Sequence, residues 1–248
     1  MKDLKVYDSY EEMVRARKKE EEDRIIELEN IIKNVDNKKL PESEYKEIVK
    51  ELGNIQFNKE LSIPSTFSDR INQQRYGMYA IVTRDWVREL VEWLDGRKVL
   101  EVMSGRGWIA KTIREEGGDI IATDNMSSYQ NWRDKGLSEL CDIENLSAVD
   151  AIKKYGKDVD FVLMAWPPYN KPQATDVAKE IQKVNPDIKI IYIGESQGGC
   201  TADEEFFDLV TEIEDDTFEV VGEFYNTHDW VLRALNDFMY LYKVGGNK

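Results

Sequence analysis

The sequence has little cysteine and almost no histidine. Its two cysteines, Cys141 and Cys200, lie far apart and match no metal-ligand spacing, so neither a disulfide framework nor a zinc site is expected. The single histidine, His228, excludes a multi-histidine metal cluster. No stretch approaches the roughly 18 apolar residues of a membrane span. The first residues also lack an apolar run ahead of a cleavage site. A cytoplasmic protein, neither secreted nor membrane-spanning, is expected. There is no Gly-x-x-x-x-Gly-Lys-Ser/Thr run either, which excludes a P-loop enzyme.

Charge of one sign is also short. Against 49 Asp and Glu stand 34 Lys and Arg, a formal net charge of −15. Residues 1–60 hold 13 basic and 16 acidic residues, so most of the excess belongs to the rest of the chain. An acidic surface repels a phosphate backbone at long range. Duplex nucleic acid is thereby disfavoured as a partner. Apolar residues make up 41% of the chain, enough to bury a core and to set disorder aside.

The chain reads as two parts, an N-terminal helical extension over 1–74 and a main domain over 75–248. Residues 9–35 have helical spacing, highly charged at first and then with Ile25, Leu28, Ile32 and Val35 on one face. Pro41 interrupts, and a short helix is expected over 42–52. This extension either packs on its own domain or serves dimerisation or substrate covering. A stronger helix follows around Trp86, Val87, Leu90, Val91 and Leu94, stopped by Asp95-Gly96. From Lys98 strands and helices alternate. Strands are expected at 99–102, 120–123, 143–149, 160–165 and 188–193, with helices at 108–116, 175–184 and 202–213. Two last strands are expected at 218–225 and 237–244. Near-continuous apolar strands between helices predict a parallel sheet covered on both faces. The expected class is α/β, a three-layer sandwich with an antiparallel C-terminal strand pair.

The run Val99 to Trp108 (VLEVMSGRGW) is a strand, a glycine-containing turn and a helix start. Gly105 and Gly107 permit a sharp turn and close approach of a ligand. A Gly-x-Gly turn alone also serves plain tight turning. The next strand ends in Asp124. In a doubly wound sheet a carboxylate there reaches the crevice at the strand ends and can accept from ribose hydroxyls; a helix N-cap or turn role is the alternative. A dinucleotide oxidoreductase would want Gly-x-Gly-x-x-Gly, whereas position 110 is alanine and Met103 stands at the first glycine position of Gly-x-Gly-x-Gly.

Residues 98–126 resemble the first two motifs of class I S-adenosylmethionine (SAM)-dependent methyltransferases, with Met103 at the first glycine position. The resemblance implies SAM as cofactor. It implies that Glu101 orders the glycine loop and the methionine moiety, with Met103, Ser104, Gly105 and Gly107 forming that loop. Asp124 would hold the ribose, and Asn125 and Met126 would flank the adenine. Asp150, ending the third strand, would face the adenine amino group, with Asp142 as the competing choice.

After the strand at 160–165 comes Trp166-Pro167-Pro168-Tyr169-Asn170, which resembles the Asn/Asp-Pro-Pro-Tyr motif of amino-methyltransferases. In that family an amide or carboxylate precedes the prolines and accepts from the target amine. Indole offers only an N–H donor, so Trp166 does not replace it. The resemblance places Trp166, Pro167, Pro168 and Tyr169 at the acceptor site; a simply packed loop is the other reading.

Glu195, after the fifth strand, is a candidate base, or a structural partner of the glycine-rich loop beside it. His228 titrates near neutrality and is a candidate for substrate binding, or else a surface residue. Tyr76, Tyr79 and Arg84 precede the main domain and by analogy could fold over the cofactor. The expected function is methyl transfer to nitrogen or oxygen of a small molecule or protein. The alternatives are a SAM-binding sensor or assembly protein without catalysis, a nucleobase N-methyltransferase, and a SAM-degrading enzyme. The N-terminal helices are also a candidate homo-oligomer contact.

Overall fold

The computed structural model describes residues 19, 23–28, 77–134, 137–226 and 237–245. By its internal contacts the chain divides into Met1–Ser62 and Ile63–Lys248. In the first unit residues 19 and 23–28 are helical, with an Arg24–Glu27 ion pair at 2.8 Å. The rest of the helices expected over 9–35 and 42–52 lies outside the described residues.

The second unit is built on a seven-stranded sheet of order β3-β2-β1-β4-β5-β7-β6. Its strands are β1 (Val99–Val102), β2 (Ile120–Asp124), β3 (Glu144–Asn145), β4 (Phe161–Ala165), β5 (Lys189–Gly194), β6 (Val210–Glu212) and β7 (Phe238–Val244). The first five are parallel. β7 runs antiparallel to both β5 and β6. This is the doubly wound arrangement, reversing direction at β1 between β2 and β4, with an antiparallel strand inserted beside β5. The parallel strands put their carboxyl ends on one edge, and the loops there make the crevice.

Helices cover both faces. α1 (Arg84–Leu94), α2 (Trp108–Glu115) and α7 (Asp216–Asn226) pack on one side, and α4 (Ala148–Tyr155), α5 (Gln173–Val184) and α6 (Glu204–Leu209) on the other. A short α3 (Tyr129–Arg133) follows β2. Alternation along the strands explains the two cores. Val99, Phe161, Leu163, Ile191 and Ile193 face the first layer, and Leu100, Val102, Val162, Met164 and Ile190 face the second. Truncating a fully buried residue such as Leu163 to alanine removes packing worth ~2–5 kcal/mol. α1 buries Trp86, Val87, Leu90 and Leu94, and it stops at Asp95 (φ 47°) and Gly96 (φ 75°), both left-handed.

Several elements differ from their expectation. Residues 218–225 are not a strand but the body of α7. Phe218, Val221 and Tyr225 are buried at helical spacing, while Val220 and Phe224 remain exposed. Apolar residues on both sides hid the helical stripe. Ring contacts hold the segment against α1: Trp86 meets Tyr225 edge-on at 5.6 Å and Trp93 meets Phe218 at 4.8 Å. Residues 202–213 divide into α6 and β6, so the antiparallel C-terminal pair is β6 with β7. The third strand is only two residues long. Residues 148–149, given to it by sequence, open α4, which Ser147 caps by accepting from the Asp150 N–H at 3.2 Å.

Candidate functional site

The loop after β1 turns through three left-handed residues, Met103 (φ 57°), Gly105 (φ 56°) and Gly107 (φ 83°). The two glycines serve different ends. A Cβ on Gly107 would sit 2.7 Å from Cys141 Sγ and 2.9 Å from Ile143 Cδ1. Gly107 therefore makes room for neighbouring side chains rather than for a ligand. A Cβ on Gly105 would meet nothing nearer than the Trp132 ring at 3.5 Å. Ser104 donates from both N and Oγ to Thr123 O at 3.1 Å. The turn is thus sewn to the end of β2.

Asp124 completes that seam. Its Oδ2 accepts from the Gly105 N–H at 2.9 Å and its Oδ1 from the Met126 N–H at 2.8 Å. Burial raises the Asp124 carboxyl above the usual range, opposed by those two amides. A carboxylate oxygen has further lone pairs, so both remain able to accept from a ligand. Asn125 is exposed and forms a local turn, its Oδ1 accepting from the Ser127 N–H at 3.0 Å. Tyr129 and Trp132 of α3 were not foreseen from sequence. Tyr129 donates to Gly105 O at 2.7 Å, and Trp132 lies against Gly105 and Gly77. Two aromatics three residues apart beyond Asp124 were the available signal.

Glu101 lies beneath the loop, 2% exposed. Its Oε2 has no hydrogen-bond partner in the structure. Burial pushes its carboxyl up to about 8, against the opposing Ala110 N–H in the first turn of α2 and the more distant Arg114 charge; the Asp124 charge raises it a little further. An unpartnered buried oxygen is costly, and Glu101 lines a cavity shared with Met103, Ser104, Gly105 and Trp108. The roof is the segment Gly77 to Val82 ahead of α1, including Tyr79. The space is partly open and about 40 Å³, far below the ~300–1,000 Å³ of sites that take whole small molecules. A wider open hollow of about 360 Å³ lies along β2, lined by Arg114, Ile120 and Asp142. It begins at the amino end of β2, away from the crevice.

Asp150 is not at the end of a strand. It is the third residue of α4, exposed, with its carboxylate taken by the Ser147 hydroxyl at 2.7 Å and Lys153 at 3.3 Å. These partners hold its carboxyl below the usual range. Its rival Asp142 is also exposed and precedes β3.

Ala165 ends β4 and lines the same cavity as Glu101. Trp166 follows in a left-handed conformation (φ 51°). Its N–H donates to Ile193 O at 2.7 Å and its indole Nε1 to Asp237 Oδ2 at 3.0 Å. Pro167 is buried, whereas Pro168 and Tyr169 are exposed, Tyr169 by 63%. Backbone bonds from Ala202 N to Pro167 O (3.1 Å) and from Asn170 N to Ala202 O (2.7 Å) stitch this loop to the one after β5. Glu195 lies in that second loop. Its Oε2 accepts from the Cys200 N–H at 2.6 Å, and its own N–H donates to Thr201 Oγ1 at 2.9 Å. Burial, with Glu195 beside it, pushes the Cys200 thiol up to about 11. Glu195 is therefore built into its loop, which favours the structural reading. His228 lies outside the described residues.

Among the described residues no group of acidic, histidine or cysteine side chains could hold a metal ion, and no helix is long and apolar enough to cross a membrane. No family model matches the chain, and no curated protein matches it. Solved structures with some likeness include a putative O-methyltransferase from Klebsiella pneumoniae, 15% identical over 78% of this chain and 96% of that one, with a TM-score of 0.41. A SAM dependent methyltransferase from Archaeoglobus fulgidus is 14% identical over 68% and 97%, TM-score 0.38. The plantazolicin methyltransferase in complex with SAH is 10% identical over 82% and 99%, TM-score 0.38. Likeness this faint says nothing of chemistry, which rests on the residues themselves.

Proposed function

We propose that the crevice binds S-adenosylmethionine and that the protein transfers its methyl group to a nitrogen or oxygen of a small molecule or protein. The observation that carries this reading is the buried, unpartnered Oε2 of Glu101, a residue that lines a cavity beside the Gly105 turn. A cationic group entering there would satisfy that oxygen. Asp124, at the end of the neighbouring strand, retains lone pairs for a ribose diol. The donor set fits the cofactor: an acid for its charged amino acid end, a turn open at Gly105, and an acid for its sugar. When bound, the cofactor supplies an electrophilic methyl group. The chain's part is to orient it through Glu101 and Asp124 and to hold the acceptor with the loops after β4 and β5, since positioning supplies much of the rate in such displacements.

Calorimetric titration with S-adenosylmethionine and S-adenosylhomocysteine tests the reading, with Asp124→Asn alongside. Micromolar binding weakened by the substitution supports it. A folded protein that binds neither ligand refutes it.

One observation favours a second reading, a SAM-binding protein without transfer. The indole N–H of Trp166 is spent on Asp237, and no amide or carboxylate precedes the two prolines. Such a protein would bind the cofactor yet label no acceptor pool. Breakdown of S-adenosylmethionine by the protein alone would instead mark a degrading enzyme.

A further inference from the structure

One tryptophan touches both the roof and the turn. Trp132 of α3 is 7% exposed. A Cβ on Gly105 would lie 3.5 Å from its Cη2, and a Cβ on Gly77 would lie 3.2 Å from its Cε2. The benzene half of the indole therefore backs one glycine of the turn and one of the roof. Both glycines are left-handed, with φ of 56° at Gly105 and 76° at Gly77. Glycine has no side chain to fix such a conformation, so its neighbours must impose it. At Gly105 the Asp124 carboxylate holds the N–H at 2.9 Å and the Tyr129 hydroxyl holds the carbonyl at 2.7 Å. Trp132, packed on Tyr129 with ring centroids 5.1 Å apart, stands on the side where a Cβ would project. Arg106, the next residue of the turn, is 6% exposed and also meets the roof, with its Cδ 2.9 Å from the Cβ position of Gly77. Gly77 thus rests on a residue of the turn and on the ring that backs the turn.

Resting on the reading of the crevice as a cofactor site, we propose that Trp132 is a positioning residue for Gly105 that ties the turn to the roof. Gly77 holds the ring on one side, so the turn keeps its set only while the roof is down. When the roof lifts, Gly77 leaves the ring, and a gap of ~1 Å already forfeits up to half of such a contact. The indole is then free to shift, and Gly105 loses the wall that fixed its backbone. Entry to the crevice and loosening of the turn are one movement. A ligand arriving beneath the lifted roof meets a loosened turn, which tightens on it as Gly77 returns to the ring. The coupling runs through packed groups in contact and acts equally in both directions. The roof's other anchor, the bond from Trp86 Nε1 to Ile81 O at 3.0 Å, lies four residues further along and reports the roof on its own.

The test is hydrogen exchange on the ¹⁵N-labelled full chain without ligand. The Trp86 indole N–H reports the roof, the Gly105 N–H the turn, and the Leu163 N–H in central β4 the whole fold. Roof and turn should both be less protected than Leu163, the mark of a local opening. Ile81→Val trims the roof at a buried residue outside the cavity lining. It should speed the roof and turn reporters by one common factor, about two- to tenfold. In Trp132→Leu the same substitution should speed the Trp86 reporter alone. Should Trp132→Leu fail to fold, Trp132→Phe decides, with the two factors drawing apart. A residue that merely fills space would change stability and leave the two reporters linked. A Gly105 N–H that ignores Ile81→Val, or is as slow as Leu163, overturns the coupling, and so does a linkage that survives loss of the indole. Affinity for S-adenosylhomocysteine should fall about three- to tenfold in Trp132→Leu, since the ligand must then order the turn itself. Unchanged affinity overturns the role of Trp132 at the site. A wild type that binds no ligand counts against the cofactor reading alone, because the exchange rates do not depend on it.

Discussion

Gly105 donates its backbone N–H to Asp124 Oδ2 at 2.9 Å, so the residue proposed to hold a ribose also latches the turn proposed to hold the rest of the cofactor. Binding and loop geometry therefore share one side chain. Asp124→Asn keeps one acceptor oxygen but turns an NH₂ toward one of two amide donors. Affinity for S-adenosylmethionine should fall about 10- to 100-fold, the ~1.5–3 kcal/mol of a hydrogen bond to a charged group. Asp124→Ala should lose as much affinity and also ~1–3 kcal/mol of stability, because the Gly105 and Met126 amides lose their partner. Calorimetry and urea denaturation on both variants separate the two effects.

Glu101 gives the protein a pH signature. Its carboxyl sits at about 8 in the fold against an ordinary value of 4.5. Between those values the native state holds a proton that the unfolded chain has lost. Stability therefore falls as pH rises through this window and levels off above about 8. At roughly 1.4 kcal/mol per unit the full effect is a few kcal/mol. Glu101→Gln should flatten this slope, leaving the variant more stable than the wild type at pH 8.5 in urea denaturation. If a cation binds beside the ionised acid, ligand affinity should climb from pH 6 to 8 in the wild type and not in the variant. Equal slopes in the two proteins would remove Glu101 from the account.

The two glycines of the turn should separate when each is replaced by alanine. Gly107→Ala adds a left-handed strain of ~1–2 kcal/mol to contacts of 2.7 and 2.9 Å with Cys141 and Ile143, and overpacking of this kind costs ~1–3 kcal/mol. A total loss of ~2–5 kcal/mol is expected, partly restored by Cys141→Ala. Gly105→Ala meets nothing nearer than Trp132 at 3.5 Å and should lose little beyond the conformational cost. Its main effect should appear in ligand affinity. Chemical denaturation and titration of the pair would show whether stability and binding divide this way.

The sequence led to the strand–turn–helix at 99–108, to Asp124 at the end of its strand and to the loop after β4, because each sits in a local pattern of apolar strand followed by turn residues. It misled where tertiary contacts override local preference. The β-rich stretch 218–225 becomes helix because Phe218 and Tyr225 dock onto Trp93 and Trp86, residues more than a hundred positions earlier. Asp150 looked like a strand-end acid and is instead part of a helix cap.

The roof over Glu101 governs entry. Residues 77–82 leave about 40 Å³ beneath them, too little for the group that Glu101 is proposed to face. Trp86 pins the roof by donating to Ile81 O at 3.0 Å, and Met78, Ala80, Ile81 and Val82 are buried. Binding is therefore expected to require the segment to lift first. In stopped-flow tryptophan fluorescence the observed association rate should saturate with S-adenosylmethionine concentration, the plateau reporting the opening rate. Gly77 is the place to alter it. Its φ of 76° is left-handed, and a Cβ there would lie 2.9 Å from Arg106 Cδ and 3.2 Å from the Trp132 ring. Gly77→Ala penalises the closed roof by about 1 kcal/mol, without touching Glu101 or Asp124. The plateau should rise roughly fivefold with little loss of global stability. A rate that stays linear in ligand concentration and is indifferent to Gly77→Ala would mean the crevice is already open to its ligand by another path.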